Sequence, residues 1–250
     1  MSATIDAIVV AIPAHDEEEL LDACLTSVIE AVDAVRPRVR AVSVRVALDR
    51  CTDGSAEIAR RLSVPTVAVD AGAVGVARAA AVAAGLADIG RLARMPRRVW
   101  TAHTDADSTV PEHWIAHQLD LAQAGADVVI GTVRPRFADL SEQQVRAWQA
   151  THTPGEANGH VHGANLGIRA DVLLRAGGFP ALAVHEDVRL IERVRALGAR
   201  FAASDLAWVS TSGRAVGRAP DGYARYLRDD LVALAHSNDR HADVDPASVR

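Results

Sequence analysis

The stretch Val99-Trp100-Thr101-Ala102-His103-Thr104-Asp105-Ala106-Asp107-Ser108 constrains the fold of this chain more than any other. Its β-branched and aromatic run predicts a buried strand. The run gives way to two carboxylates spaced one apart, then to Ser, Thr and Pro111, a residue suited to the first turn of a helix. If strand alternation continues, Asp105 and Asp107 share one side, and two negative charges converge where neither is neutralised by the other. Such a pair calls for a cation. Hard oxygen ligands at a partly open site suit Mg²⁺ or Mn²⁺, which keep waters and share their shell with substrate phosphates. Taken alone, D-x-D also reads as a solvated turn in which an Asp caps the next helix.

The same strand-then-acid arrangement recurs upstream. Ala7 to Ile12 is a continuous apolar run of the kind found in a parallel strand covered on both faces, ended by Pro13. Ala14-His15-Asp16-Glu17-Glu18-Glu19 follows, before a helix carrying Leu20, Leu21, Cys24, Leu25 and Val28. Acids at a helix start complement its dipole, whereas a turn at the carboxyl end of a parallel strand is also where open α/β sheets bind ligands. Val42 to Leu48 predicts a second strand, with Asp49 at its tip and Asp53 as a cap for a helix over Ala56 to Leu62. A short strand, Thr66 to Val69, leads into a Gly- and Ala-rich helix start in which Arg78 would lie near a bound diphosphate or form a surface ion pair.

Composition removes several classes of function. Every one of the 27 basic residues is Arg, which excludes a Schiff-base lysine, a Walker-type phosphate lysine and the usual kinase lysine. A formal charge of −5 argues against general nucleic-acid binding. The 2 cysteines, Cys24 and Cys51, cannot form a disulfide framework. No secretory leader opens the sequence, and the Ala-rich run from Ala71 to Leu86 carries Arg78 in its middle. A cytoplasmic location without a transmembrane segment is therefore expected.

Downstream of Asp107 come a helix with Trp114, Ile115 and Leu119, then a strand over Val128 to Val133. His113 and His117 have metal-ligand spacing, but with no third ligand nearby they read as polar surface. A helix over Leu140 to Ala150 runs into Thr151 to His162, which holds turn formers and three histidines without an apolar period. It reads as a mobile loop, of the length used for lids or acceptor binding. Gly163 to Arg169 reads as a strand edge in which small residues let a substrate approach the backbone. His185-Glu186-Asp187 opens a helix to Leu197, as a cap or as a carboxylate placed to take a proton. Two strand-like pieces, Arg200 to Ala203 and Ala207 to Val209, precede Ser210-Thr211-Ser212-Gly213-Arg214-Ala215-Val216-Gly217-Arg218, whose two Arg, with glycines and hydroxyls, suit a diphosphate or form a plain surface loop. A helix from Tyr223 to His236 and a loosely held polar tail, 237–250, close the chain.

Taken in order, Ile12 to Glu18, Ala47 to Ser55, Thr104 to Asp107, His162 to Asn165 with Gly177-Gly178-Phe179, and His185-Glu186-Asp187 resemble a family 2 glycosyltransferase of the GT-A fold over roughly Asp6 to Tyr226. The resemblance implies an α/β domain over 1–236: a Rossmann-like, mostly parallel mixed sheet flanked by helices. Its donor-binding half would lie about 1–133 and its acceptor-binding half about 134–236. It implies an inverting transfer of a sugar from a nucleoside-diphosphate sugar of UDP or GDP type, with Mn²⁺ or Mg²⁺, to a small-molecule, lipid or glycan hydroxyl. By the same resemblance Ala14, His15, Glu17 and Asp49 would contact the nucleoside, and Arg78 the donor. Asp105 would meet the ribose or sugar and belong with Asp107 to the metal site. Asn165 would sit near a sugar, Asp187 would be the general base and Glu186 would orient it. His15-Asp16 stand where the family commonly has Tyr-Asn. Ser212, Arg214 and Arg218 occupy the region where many members place a metal-binding His. The rival readings are a silent sugar-nucleotide-binding protein, a sugar-nucleotide hydrolase and a nucleotidyltransferase.

Overall fold

Ile8, Val10 and Ile12 leave the first strand on one face and Ala7, Val9 and Ala11 on the other, and all of them are fully buried. A strand buried on both faces belongs in the interior of a sheet with helices on each side. The computed structural model, which describes residues 4–157, 159–217 and 222–233, shows that arrangement. In chain order its main elements are β1 (Ala7–Ala14), α1 (Leu21–Val35), β2 (Ala41–Asp49), α2 (Ser55–Arg61), β3 (Thr66–Val69), α3 (Val74–Asp88), β4 (Val99–His103), β5 (Ser108–Thr109), α4 (Trp114–Gln123), β6 (Val128–Pro135), α5 (Glu142–Ala150), β7 (Leu166–Arg169), α6 (Ala170–Arg175), α7 (Glu186–Ala196) and β8 (Phe201–Thr211).

The strands form one 8-stranded mixed sheet in the order β3-β2-β1-β4-β7-β6-β8-β5. Strands β3, β2, β1 and β4 run parallel. Strand β7 reverses direction between β4 and β6, and β6 runs parallel to β8. Helices α1 and α4 cover the face bearing Ile8, Val10 and Ile12, where Trp100 and Trp114 fill the centre. Helices α3, α6 and α7 cover the other, with Ala77, Ala81, Leu173, Leu190 and Ile191. Because α3 offers mainly Ala and Gly, it packs very close to the sheet: a Cβ added to Gly85 would fall 2.4 Å from Val9 Cγ1. Helix α5 opens with a capping box between Ser141 and Gln144. Among the described residues no helix is long and apolar enough to cross a membrane.

Three local features differ from the sequence expectations. Strand β4 ends at His103, where its ladder with β7 ends, so Asp105 and Asp107 lie on a turn closed by the Ser108 N–H on Asp105 O at 3.1 Å. Helix α1 begins only at Leu21, after a left-handed Asp16 (φ +49°). The acids before it act instead as acceptors for the neighbouring strand-tip loop: Asp16 takes the Thr52 N–H at 2.7 Å and Glu18 the Gly54 N–H at 2.7 Å, while Glu18 N–H donates to Asp53 at 2.8 Å. Fixed amides facing a carboxylate hold it more firmly than a helix dipole would. The two pieces expected near 200–209 form one strand, β8. His113 and His117, polar and at or near the surface as expected, tie α4 to β8 through Leu206 O and Ser204 Oγ.

Candidate active site

A cavity of about 860 Å³ opens at the carboxyl ends of β1, β2 and β4, the end at which open α/β sheets take ligands. Ala14, His15, Glu17, Asp49, Arg78, Asp105, Asp107, Glu186, Asp187 and Arg214 all line it.

Asp49, at the tip of β2, shapes the loop that starts α3. Its carboxylate accepts the N–H groups of Ala71 (2.8 Å), Gly72 (3.0 Å) and Ala73 (2.9 Å). Burial works against its charge, yet these three donors hold the carboxyl below the usual carboxylate range. His15 Nδ1 lies 2.6 Å from Asp49 O. A carbonyl only accepts, so Nδ1 carries the hydrogen, and the pair fixes one rim of the cavity.

Arg78, on α3, is 1% exposed and joins three segments. Nη2 donates to Asp105 at 2.7 Å, Nε to Glu186 at 3.3 Å and Nη1 to Gly163 O at 3.1 Å. Its guanidinium also sits 5.5 Å from the centre of the Phe179 ring. The close approach is made possible by Gly163, where a Cβ would meet Arg78 Nη2 at 2.5 Å. The surface ion pair is not what forms: Arg78 is a buried hub that still reaches the cavity lining, the place expected of a residue beside the donor.

Asp107 accepts from Ser108 Oγ and Thr211 Oγ1, both at 3.2 Å, and Arg214 Nη2 stands 3.2 Å from its Oδ2. Arg214 also forms a two-pronged ion pair with Glu17, which is itself 6% exposed. Burial, with the charges of Asp105 and Glu17, pushes the Asp107 carboxyl up to about 6 in spite of Arg214.

Across the cavity a left-handed His185 (φ +59°) turns the chain into α7. Glu186 is drawn inward to Arg78 and is 4% exposed; burial raises its carboxyl to about 7 against the pull of that Arg. Asp187 accepts the Gly163 N–H at 2.6 Å on one oxygen and the Val188 N–H at 2.7 Å on the other. Burial raises its carboxyl as well, opposed by Arg78 and these two donors.

The sequence profile of glycosyl transferase family 2 matches residues 9–172, from β1 into α6. The chain belongs to this family. No match is found among curated proteins. Among solved structures, S. aureus TarS 1–349 in complex with UDP-GlcNAc aligns with a TM-score of 0.61 at 16% identity, over 94% of this chain and 67% of that one. In another TarS structure the share of that chain is 41%. The mannosyltransferase PcManGT from Pyrobaculum calidifontis, in complex with GDP-Man and Mn²⁺, aligns with a TM-score of 0.56 at 19% identity, over 98% of this chain and 78% of that one. Glucosyl-3-phosphoglycerate synthase from Mycobacterium tuberculosis, in complex with Mg²⁺ and UDP, gives 0.52 at 17%, over 84% and 72%. At these identities the likeness is one of fold, the GT-A fold, and this family 2 glycosyltransferase is a sugar-transferring enzyme built on it.

Asn165 of this glycosyltransferase is placed differently from the sequence expectation. It is 2% exposed, donates to Thr132 O and Ala207 O at 2.9 Å each and accepts the Trp114 Nε1–H at 2.9 Å. Gly131 makes room for it, since a Cβ there would fall 2.2 Å from Asn165 Nδ2. The side chain is a cross-link inside the sheet and does not line the cavity. Arg218 and the tail 237–250 lie outside the described residues. Thr211, in the hydroxyl- and Arg-bearing stretch, lines the cavity, as do Tyr223 and Tyr226, to which sequence reasoning assigned no role. The two Tyr opened an amphipathic run read simply as a helix.

Among the described residues, one group of three potential ligands lies close enough to share an ion, Asp16 with Cys51 and Asp53, and it is not the D-x-D pair. Asp105 is committed to Arg78. Asp107 lines the cavity too, crowded by the charges of Asp105 and Glu17. Its hard oxygen donors fit a divalent ion held by one protein carboxylate, with phosphates and water completing the shell.

Proposed function

We propose that this enzyme transfers a sugar, with inversion, from a nucleoside-diphosphate sugar to a hydroxyl acceptor, with Asp187 as the general base and Asp107 as the protein ligand to Mn²⁺ or Mg²⁺. The observation that carries this reading is the single network in which Arg78 ties the D-x-D turn, through Asp105, to Glu186 and the Gly163 backbone that holds Asp187. The solved complexes of TarS with UDP-GlcNAc, of PcManGT with GDP-Man and Mn²⁺, and of glucosyl-3-phosphoglycerate synthase with Mg²⁺ and UDP support the donor class and the ion.

In this reading the nucleoside lies against Ala14, His15 and Glu17, in the loops braced by Asp49, and the diphosphate turns toward Asp107 and Arg214. Asp107 would hold the divalent ion, which would supply positive charge to the departing diphosphate. Asp187 takes the proton of the acceptor hydroxyl as that oxygen attacks the anomeric carbon from the side opposite the leaving nucleoside diphosphate. Its raised carboxyl makes it a stronger base than an exposed Asp, and its two backbone donors fix its direction. Glu186, on Arg78, holds the start of α7 in register. A single displacement needs no enzyme nucleophile.

The test pairs thermal shift with turnover. UDP, GDP, CDP and dTDP sugars are each added with and without Mn²⁺, and a shift confined to one nucleotide and strengthened by Mn²⁺ is expected. Asp187→Asn should then keep that shift and lose transfer by about 10²-fold or more. Unchanged turnover in Asp187→Asn would remove Asp187 as the base, and the absence of any nucleotide shift would remove the donor assignment.

A further inference from the structure

The wall of the cavity beyond Asp187 differs in kind from its floor. The floor carries Glu17, Asp105, Asp107, Glu186 and Asp187 with their arginines, whereas the wall is made of aromatic and imidazole rings: His152, His160, His162, Tyr223 and Tyr226. The rings form a connected series. His160 and His162 have centroids 6.1 Å apart, His162 meets Tyr223 edge-on at 5.6 Å, and Tyr223 stacks on Tyr226 at 5.8 Å. His152 is backed by Trp148 at 3.9 Å in a stacked pair. The series begins one residue from Gly163, whose N–H holds Asp187. A hydroxyl delivered to Asp187 therefore brings the body of its molecule against His162 and Tyr223.

The electrostatics of this wall select against an anion. Burial holds His162 down at about 4 and lowers His152, and it raises the Tyr223 hydroxyl, so these rings are uncharged at neutral pH. Arg225 and Asp230 reach the same rim with opposite signs, and Arg225 is 3.9 Å from Asp229. The nearest buried cation, Arg78, is engaged by Asp105 and Glu186. A phosphate or carboxylate on the acceptor would face Glu186 and Asp187 across the uncharged rings of His152, His162 and Tyr223, with Arg225 at the rim balanced by Asp229 and Asp230. A ring with a C–H face and several hydroxyls meets both needs of such a surface, packing on the aromatic faces and hydrogen bonding to imidazole and phenol.

We propose that the wall formed by His152, His162, Tyr223 and Tyr226 is the acceptor subsite and that it takes a neutral sugar ring, as a glycoside or the end of a glycan. The inference rests on the transferase reading above and adds the chemical class of its acceptor.

Saturation-transfer NMR on the full chain tests it, with the nucleoside diphosphate that gives the thermal shift and Mg²⁺ in the same tube. The probes are methyl glycosides of glucose, galactose, mannose and N-acetylglucosamine, and, separately, 3-phosphoglycerate and glycerol 3-phosphate. At least one glycoside should receive saturation, strongest on the C–H hydrogens of one ring face, and the phosphorylated compounds none. The glycoside signal should fall at least fivefold in Tyr223→Ala and in His162→Ala and persist in Tyr223→Phe, with the nucleotide signal reporting that each variant is folded. Saturation of the phosphorylated probes alone, of no glycoside, or of a glycoside equally in wild type and in both alanine variants overturns the proposal while leaving the donor reading intact. Loss of the nucleotide signal in the wild-type protein overturns the donor reading, and this inference with it.

Discussion

Arg214 grips Glu17 with both terminal nitrogens across 197 residues of sequence, and the same Nη2 stands 3.2 Å from Asp107 Oδ2. A protein cation thus occupies the direction from which a divalent ion would approach that carboxylate. The two compete for one negative charge. Arg214→Gln should tighten Mn²⁺ binding in the absence of nucleotide by about tenfold, equivalent to about 1.4 kcal/mol. Free Mn²⁺ measured by its electron paramagnetic resonance signal reads this directly, and an unchanged or weaker affinity would show that Arg214 does not compete.

Arg78 is the sole positive charge between the buried Glu186 and the base of Asp105 among the ion pairs of the described floor. Replacing it by Met keeps apolar packing on Phe179 but leaves a buried carboxylate without a partner, a change that costs about 3–5 kcal/mol. For a chain of this size the melting midpoint should drop by about 10 °C. A drop below about 2 °C in calorimetry would mean that the network contributes little to folding.

Glu186 gives a pH signature. Its carboxyl rises from an ordinary 4.5 to about 7 through burial, so the folded state binds this proton more tightly than the unfolded chain. The stabilisation is complete below about pH 4.5 and is lost as pH rises through about 7. Glu186→Gln removes the titration. The midpoint of the variant relative to wild type should therefore climb by several degrees between pH 4.5 and 7.5, whereas a flat or falling difference would contradict the raised carboxyl.

Asn165→Ala should separate folding from binding. Truncation leaves Trp114 Nε1 and the carbonyls of Thr132 and Ala207 without their partner, at a cost of about 3 kcal/mol. Nucleotide affinity, read by calorimetric titration below the melting range, should stay within twofold of wild type. A large loss of affinity with little loss of stability would return Asn165 to the sugar-binding surface.

The strands and the residues at their tips were legible because each is a local pattern. Ile8, Val10 and Ile12 alternate with small residues, and the acids at 49, 105 and 107 follow directly on apolar runs. What the tips do was less legible, because it depends on partners distant in sequence. Asn165 looks the same whether it faces a sugar or bridges strands; its partners Trp114, Thr132 and Ala207 lie 51, 33 and 42 residues away. Asp16 and Glu18 sat where a helix dipole would favour them, but the facing amides of Thr52 and Gly54 are 36 residues on. Arg78 lies in an Ala-rich helix whose small side chains hide which face turns inward.

Strands β6 and β7 are antiparallel neighbours inside the sheet, with Ile130 opposite Leu166, so the chain between them departs from and rejoins the sheet at the same end of that ladder. That excursion carries α5 and most of the ring-lined wall, yet its two ends are fixed side by side in the ladder. The entropy of closing such a loop grows only slowly with its length. Exchanging, lengthening or shortening this insert would, on the acceptor proposal above, change what that wall accepts while the floor at the carboxyl ends of β1, β2 and β4 keeps its geometry.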